Sequence, residues 1–357
     1  MLLRRLRAAP TPLLGAADAA FSAVLAVTGT RRVVPPPARD RTLALTVTDR
    51  VMVARDENVV ALTLTAAGGS PLPSWHPGAH LDIHLPSGRV RQYSLCGDPA
   101  WRSQYRIAVR RIPDGGGGSM EVHDRLPVGS VITTSGPRNA FPLSVPGYGS
   151  PTRRLRFIAG GIGITPILPM LAMAERLGVD WSMIYVGRSA QSIPFIDEVR
   201  RFDHRIEVRT DDVHGVPDAD DLLGECPDGT TVYACGPAAM LTLVRQRLVG
   251  RDNVELHFER FAAAPVSDGE PFSVTVSSTG ATVSVAADET LLAALQRSDV
   301  PAPYSCQQGF CGTCRTRVID GVVQHRDTLL TTPERAAGMM LTCVSRAPAG
   351  ERLTLDL

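Results

Sequence analysis

Three cysteines, Cys306, Cys311 and Cys314, fall within nine residues, and a fourth, Cys343, follows after a gap of 28 residues. The spacing Cys-x4-Cys-x2-Cys sits in "CQQGFCGTC", and the last cysteine sits in "LTCVSRA". Thiolates hold iron bridged by inorganic sulfide only where the backbone wraps closely around the cluster, and Gly309, Gly312 and Thr313 are the small residues this wrapping needs. A zinc site favours two Cys-x2-Cys pairs. Here there is one such pair, preceded by a four-residue gap. The four cysteines therefore read as ligands of a [2Fe-2S] cluster, a carrier of one electron.

Two further segments suit a dinucleotide. "AGGIGITP", residues 159–166, follows the apolar "LRFI" and precedes an apolar helical stretch. Gly160, Gly161 and Gly163 there permit a tight turn that brings backbone N–H groups to a phosphate. By itself this turn is equally a packing junction. "YACGP", residues 233–237, ends a later strand, where ligands of open parallel sheets gather, and carries Cys235 and Gly236. A merely buried cysteine is the alternative. The cysteine loop resembles plant-type ferredoxins, which implies a β-grasp fold from about residue 271 onward. The two glycine-bearing segments together resemble the nicotinamide-binding half of the ferredoxin reductase superfamily, which implies that Cys235 lies beside the nicotinamide ring.

A nicotinamide gives up two electrons as a hydride, whereas a [2Fe-2S] cluster accepts one, so an intermediary that takes two and releases them singly is needed, and a flavin does this. "RQYSL", residues 91–95, alone reads as an exposed strand. "GGGSM", residues 116–120, reads as a surface loop, or as a loop feeding a short helix whose amides and Ser119 hydroxyl hold a phosphate. The first matches the superfamily's Arg-x-Tyr-Ser motif, which implies Arg91 on the flavin phosphate, Tyr93 along the flavin and Ser94 at the ring edge. With both halves in order, residues 43–357 are similar to the phthalate dioxygenase reductase family, which includes vanillate demethylase reductases. The likeness runs through "RQYSLCGD", "YRIAVRR", "GGS", "PRNAFPL", "AGGIGITP", "CGP", "HFERF", the cysteine loop and "QHRD".

That resemblance implies FMN rather than FAD, and NADH as donor with NADPH as the alternative. It implies cofactor contacts from Arg91, Tyr93, Ser94, Ala108, Val109, Arg110, Gly117, Gly118, Ser119, Met120, Gly160, Gly161, Gly163 and Gly236. Cys235, Thr165 and Phe261 are implied where nicotinamide meets flavin. The implied activity is that of an NAD(P)H-dependent reductase passing electrons through FMN and the cluster to a terminal Rieske-type oxygenase. A cytochrome P450 or other monooxygenase as acceptor, and a non-enzymatic ferredoxin carrier with degenerate upstream domains, are the alternatives. Where many relatives carry glutamate after the first cluster cysteine, this chain has Gln307.

The elements that must position these groups are legible in the patterning. Residues 41–148 alternate short β-rich runs with Gly, Pro and Asp, the signature of an antiparallel β-barrel, here the FMN domain. Residues 152–262 alternate apolar strands with helical stretches, predicting a parallel α/β sheet, which the resemblance makes the nicotinamide nucleotide domain. Residues 270–357 predict a hairpin, a helix and the cysteine loop of the ferredoxin domain. The 357 residues are 44% hydrophobic, enough for several cores, and 37 Lys plus Arg against 36 Asp plus Glu leave no field directed at nucleic acid. Seven cysteines, an odd number in a long chain, fit a reducing, cytoplasmic setting. In the extension 1–40, Arg4, Arg5 and Arg7 precede a mildly apolar stretch that Asp18 interrupts. Leu14, Ala17, Phe21, Val24 and Leu25 lie at helical spacing, so a helix packed on the body is expected ahead of one touching a membrane, and Pro35, Pro36 and Pro37 form a stiff linker.

Overall fold

Strand-forming residues dominate from Thr42 to Asn139, and they build six strands in a computed structural model that describes residues 42–357, apart from 57, 114–115, 145–151, 262–265, 305–306, 310–311 and 328. The expected N-terminal helix, the proline linker, Cys306 and Cys311 lie outside the described residues. The six strands are β1 (Thr42–Met52), β2 (Val59–Ala66), β3 (Ala79–His84), β4 (Val90–Ser94), β5 (Gln104–Arg110) and β6 (Val131–Asn139). They pair antiparallel in the order β4-β3-β6-β1-β2-β5, and a bridge between Leu95 and Ile107 brings the two edges together. Leu45, Val47, Leu62, Leu64, Leu81, Ile83 and Ile107 fill the interior.

Strand β2 departs from simple alternation because both of its faces are covered. Val60, Leu62 and Leu64 point into the barrel core, while Val59 and Ala61 join Cys96, Ala108 and Phe141 in a second core shared with the next domain. That domain is a five-stranded parallel sheet of β7 (Arg154–Gly160), β8 (Asp180–Gly187), β9 (Ile206–Thr210), β10 (Thr230–Cys235) and β11 (Glu255–Glu259), in the order β11-β10-β7-β8-β9. The chain winds outward from β7 through β8 to β9 and then returns to the other side of β7 with β10. The β7/β10 seam is thus the topological switch point, outside whose carboxyl ends such sheets bind ligands.

The last sheet contains β12 (Phe272–Val276), β13 (Thr282–Val285), β14 (Arg315–Asp320), β15 (Met339–Leu341) and β16 (Arg352–Leu355), in the order β13-β12-β16-β14-β15. The helix Leu291–Arg297, capped by Thr290 Oγ1 on the Ala293 amide, contributes Leu291, Ala294 and Leu295 to its core. No helix among the described residues is long and apolar enough to cross a membrane.

Candidate functional site

Both motifs of the parallel sheet meet at the switch point. Gly160 ends β7, Gly161 takes φ 53°, and the chain turns into the helix Ile164–Arg176. A Cβ on Gly163 would sit 2.2 Å from the Cys235 carbonyl oxygen, and one on Gly160 2.6 Å from Pro237 Cδ. A Cβ on Gly236 would lie 2.6 Å from Met240 Cε. Two segments some 70 residues apart in sequence therefore touch backbone to backbone, which only glycine permits. Tyr185 Oη donates within reach of both Gly161 O at 3.0 Å and Pro194 O at 2.8 Å, and Thr165 Oγ1 donates to Ile162 O at 3.0 Å. These bonds fix the conformation of the turn at the sheet edge. Arg110 reaches across from the barrel: its guanidinium donates to Ser192 O at 2.9 Å and lies 3.3 Å from where a Gly161 Cβ would stand.

Cys235 is fully buried, and burial pushes its thiol well above the ordinary range, with Glu259 adding to the effect. It is therefore a neutral thiol rather than a thiolate nucleophile. Its neighbour across the parallel pair is Glu259, whose carboxyl burial pushes up to about 8 and whose Oε2 has no hydrogen-bond partner among the described residues. A buried acid that holds its proton near neutral pH beside a ligand seam is a functional candidate. Sequence reasoning passed over it, although "HFERF" contains it; the only signal was its place two residues before Phe261. Phe261 itself is about half exposed.

On the barrel, β4 carries Arg91, Tyr93 and Ser94, with Tyr93 opposite Leu81 of β3. Burial raises the Tyr93 phenol, so it stays protonated. Arg91 runs alongside the glycine loop: it donates to Val90 O at 2.9 Å and Gly116 O at 3.2 Å, and a Cβ on Gly118 would lie 2.6 Å from its Nε. Gly116 and Gly117 take φ 69° and 78°, and Gly117 caps the helix Gly118–Arg125. A helix start leaves its first amides without intrahelical acceptors, so the amides of Gly118, Ser119 and Met120 and the Arg91 cation form a cradle whose donors fit a phosphate. The Ser119 hydroxyl is turned to the backbone of Ile112, accepting from N at 3.1 Å and donating to O at 3.2 Å, so it locks the loop rather than facing the cradle. Ala108 and Val109 are buried on β5.

In the third sheet, Cys314 and Cys343 are buried with their Sγ atoms 3.1 Å apart. The loop before them turns through left-handed positions at Gln307, Gly309 and Gly312, with φ 55°, 80° and 75°. A Cβ on Gly309 would meet Val344 Cγ2 at 2.8 Å, and one on Gly312 would meet Leu329 Cδ2 at 2.9 Å. Two thiols brought together beside a loop that turns through three left-handed positions, two of them glycine, are what a cluster of iron and sulfide requires. Asp327 of "QHRD" anchors this region from beneath. It accepts from the Leu330 amide at 2.7 Å, the Ser345 hydroxyl at 3.4 Å and Arg335 at 3.4 Å.

The three sites adjoin one another. Arg91 Nη1 donates to Tyr304 Oη at 3.0 Å, and Gln308 Nε2 donates to the Arg260 carbonyl. Arg106 of β5 makes two 2.8 Å bonds to Glu198, so the barrel and the parallel sheet are clasped together as well.

Residues 274–348 match the 2Fe-2S iron-sulfur cluster binding domain. Over 316 residues the chain is 40% identical to the vanillate O-demethylase oxidoreductase of Pseudomonas sp. (strain HR199 / DSM 7063), covering 86% of this chain and 97% of that one. It is 34% identical over 328 residues to the phthalate dioxygenase reductase of Burkholderia cepacia, covering 90% and 99%. A solved structure of phthalate dioxygenase reductase, described as modular for electron transfer from pyridine nucleotides to [2Fe-2S], superposes with a TM-score of 0.66 at 33% identity, covering 89% of this chain and 98% of that one. An intact type IV self-sufficient cytochrome P450 monooxygenase superposes with a TM-score of 0.66 at 36% identity, covering 92% of this chain and 43% of that longer one. With this identity along nearly the whole of its relatives and with all three sheets accounted for, the chain belongs to the phthalate dioxygenase reductase family, the [2Fe-2S] oxidoreductases that serve as reductase components of oxygenase systems.

Proposed function

We propose that the chain takes electrons from NADH, passes them through FMN held in the barrel, and delivers them from its cluster to a terminal Rieske-type oxygenase. The domain assignment goes with this: FMN in 41–148, the nicotinamide nucleotide in 152–262 and the cluster in 270–357. The observation that carries the reading is the close approach at two glycines, Gly118 against Arg91 and Gly163 against the Cys235 backbone. The first sets helix-start amides and a guanidinium side by side for a monophosphate, and the second lies at the switch point of the parallel sheet, outside whose carboxyl ends ligands bind.

When bound, FMN takes up the two electrons that NADH gives together and releases them one at a time, which the cluster requires. The protein's own part is geometric. Arg91 and the amides of Gly118, Ser119 and Met120 would fix the phosphate, with Tyr93 and Ser94 along the ring. Cys235 and Thr165 would hold the nicotinamide, and Phe261 would bound the same space. Glu259, held as the neutral acid by burial, adds no negative charge beside Cys235. Asp211 and Asp212 begin the short helix at the carboxyl end of β9, and the Asp212 amide donates to Arg188 O at 3.1 Å. NADH over NADPH goes with the family resemblance; Arg188, which could meet a 2′-phosphate, is read as a neighbour of the ribose or adenine. Cys306 and Cys311 would complete the ligand set of Cys314 and Cys343. A cytochrome P450 as acceptor is the second reading, favoured by the likeness to the self-sufficient monooxygenase. The odd cysteine count and the thiolate cluster support a cytoplasmic setting.

The test is chemical analysis of purified protein. The reading requires two irons and two sulfides per chain, FMN rather than FAD released on denaturation, and electron delivery to a purified Rieske oxygenase. FAD, or iron without sulfide, contradicts the cofactor reading, and delivery to a P450 alone contradicts the partner.

A further inference from the structure

We propose that Tyr304 is a positioning residue that ties the phosphate end of the flavin site to the cluster loop. This rests on the reading of Arg91 as the flavin-phosphate arginine. Tyr304 stands two residues before Cys306 in the sequence. Its ring packs against the small core formed by Leu292, Cys314, Leu330, Leu341 and Cys343, the core that holds both described cluster thiols. Its hydroxyl leaves that core and accepts from Arg91 Nη1 at 3.0 Å, across 213 positions of sequence, with the guanidinium also 5.8 Å from the ring centroid. One side chain thus has its apolar body in the cluster domain and its polar tip on the barrel.

Arg91 has N–H groups to spare for this. A guanidinium carries five, and in this structure Nη1 serves Val90 O and Tyr304 Oη while Nη2 serves Gly116 O of the glycine loop. Nε faces Gly118, at the mouth of the cradle. A planar fork can therefore hold an anion with one edge and Tyr304 with another, and fixing either one restricts the other. Because such coupling is reciprocal, phosphate in the cradle orders Tyr304, and Tyr304 bound to Arg91 pre-orients the cradle. The bond lies where the barrel and the loop leading to Cys306 meet, so it sets the approach of the cluster to the flavin and leaves the nicotinamide seam around Cys235 untouched.

The test has two independent arms, both on the full chain with its cluster. In the first, Tyr304→Phe keeps the ring and removes the hydroxyl. FMN binding to flavin-stripped protein, followed by flavin fluorescence, is expected to weaken roughly tenfold, the scale of one hydrogen bond to a charged group, while riboflavin binding stays unchanged. In anaerobic rapid mixing with NADH, flavin bleaching keeps its rate and the following bleaching of the iron–sulfur bands slows about tenfold. In the second arm, hydrogen exchange of the unmodified chain is measured over the segment 300–304. Protection rises with FMN and not with riboflavin, which lacks the phosphate. Equal protection by the two flavins overturns the proposal whether or not the variant folds, as does a Tyr304→Phe protein identical to the parent in FMN affinity and in both bleaching phases. Parent protein that binds no FMN overturns instead the reading on which the proposal rests.

Discussion

Replacing Gly163 by alanine places a methyl group 2.2 Å from the Cys235 carbonyl oxygen, 2.5 Å from its carbon and 2.9 Å from the Gly236 amide nitrogen. Ordinary carbon contacts lie at about 3.5 Å, so the overlap exceeds about 1 Å, and every opposing atom belongs to backbone. Gly163 itself has φ −63°, so alanine suffers no torsional strain there and the effect is purely one of contact. Overpacking of this kind costs about 1–3 kcal/mol, and with no side chain to yield, the upper end is expected. The strain is relieved only by spreading the β7 turn from the β10 turn, which is the seam proposed to take the nicotinamide. If all of it falls on that seam, NADH affinity drops about 5- to 150-fold, toward the larger figure. The assay is titration of the oxidised protein with NAD+ and NADH alongside thermal unfolding, with the flavin and cluster spectra as internal controls. Gly118→Ala is the contrasting variant: its 2.6 Å contact is with the flexible Arg91 side chain, so it lowers stability less and FMN affinity more. A Gly163→Ala protein with unchanged nucleotide affinity and melting temperature refutes the argument from close approach.

Three further outcomes are expected. Glu259→Gln removes an acid whose pKa is raised to about 8 from an ordinary 4.5. Between those values the unfolded chain releases a proton that the native chain keeps, so native stability falls as pH rises through this window; melting temperatures from pH 5 to 9 should show the variant gaining on the parent toward pH 8, and parallel curves would count against the buried acid. Asp327→Asn weakens the acceptor shared by Leu330, Ser345 and Arg335 and should speed loss of the visible cluster bands in a chelator, with a stability loss of about 1–3 kcal/mol; bands as durable as the parent's would show that Asp327 does not anchor the loop. Arg106→Ala and Glu198→Gln should each destabilise the joint between barrel and parallel sheet by about 1–3 kcal/mol, and a double-mutant cycle should return a coupling energy well above zero, additivity meaning that the pair contributes nothing.

What the sequence disclosed and what it hid divide along the chain's own distances. The cysteine loop, the glycine turn at 159–166 and "RQYSL" are local patterns: each specifies a backbone conformation within a few residues, and that conformation is what the thiols and cradles require. The three-sheet plan was legible for the same reason, since strand and helix periods are local signals. Glu259 escaped notice because its significance comes from the pairing of β11 with β10, which only the strand order supplies. Tyr304 and the Arg106–Glu198 clasp are contacts between elements far apart in sequence, so no spacing advertises them. Ser119 shows the opposite limit: the motif located the loop, yet the direction of its hydroxyl depends on Ile112, seven residues away.

The central claim is a relay from a two-electron donor, through a flavin, to a one-electron cluster. Anaerobic mixing of the purified protein with NADH, followed at flavin and iron–sulfur wavelengths, tests it most directly. The flavin bands are expected to bleach first and the cluster bands second, both returning when a Rieske oxygenase is added. Cluster bleaching without a flavin phase, or no bleaching by NADH at all, would contradict it.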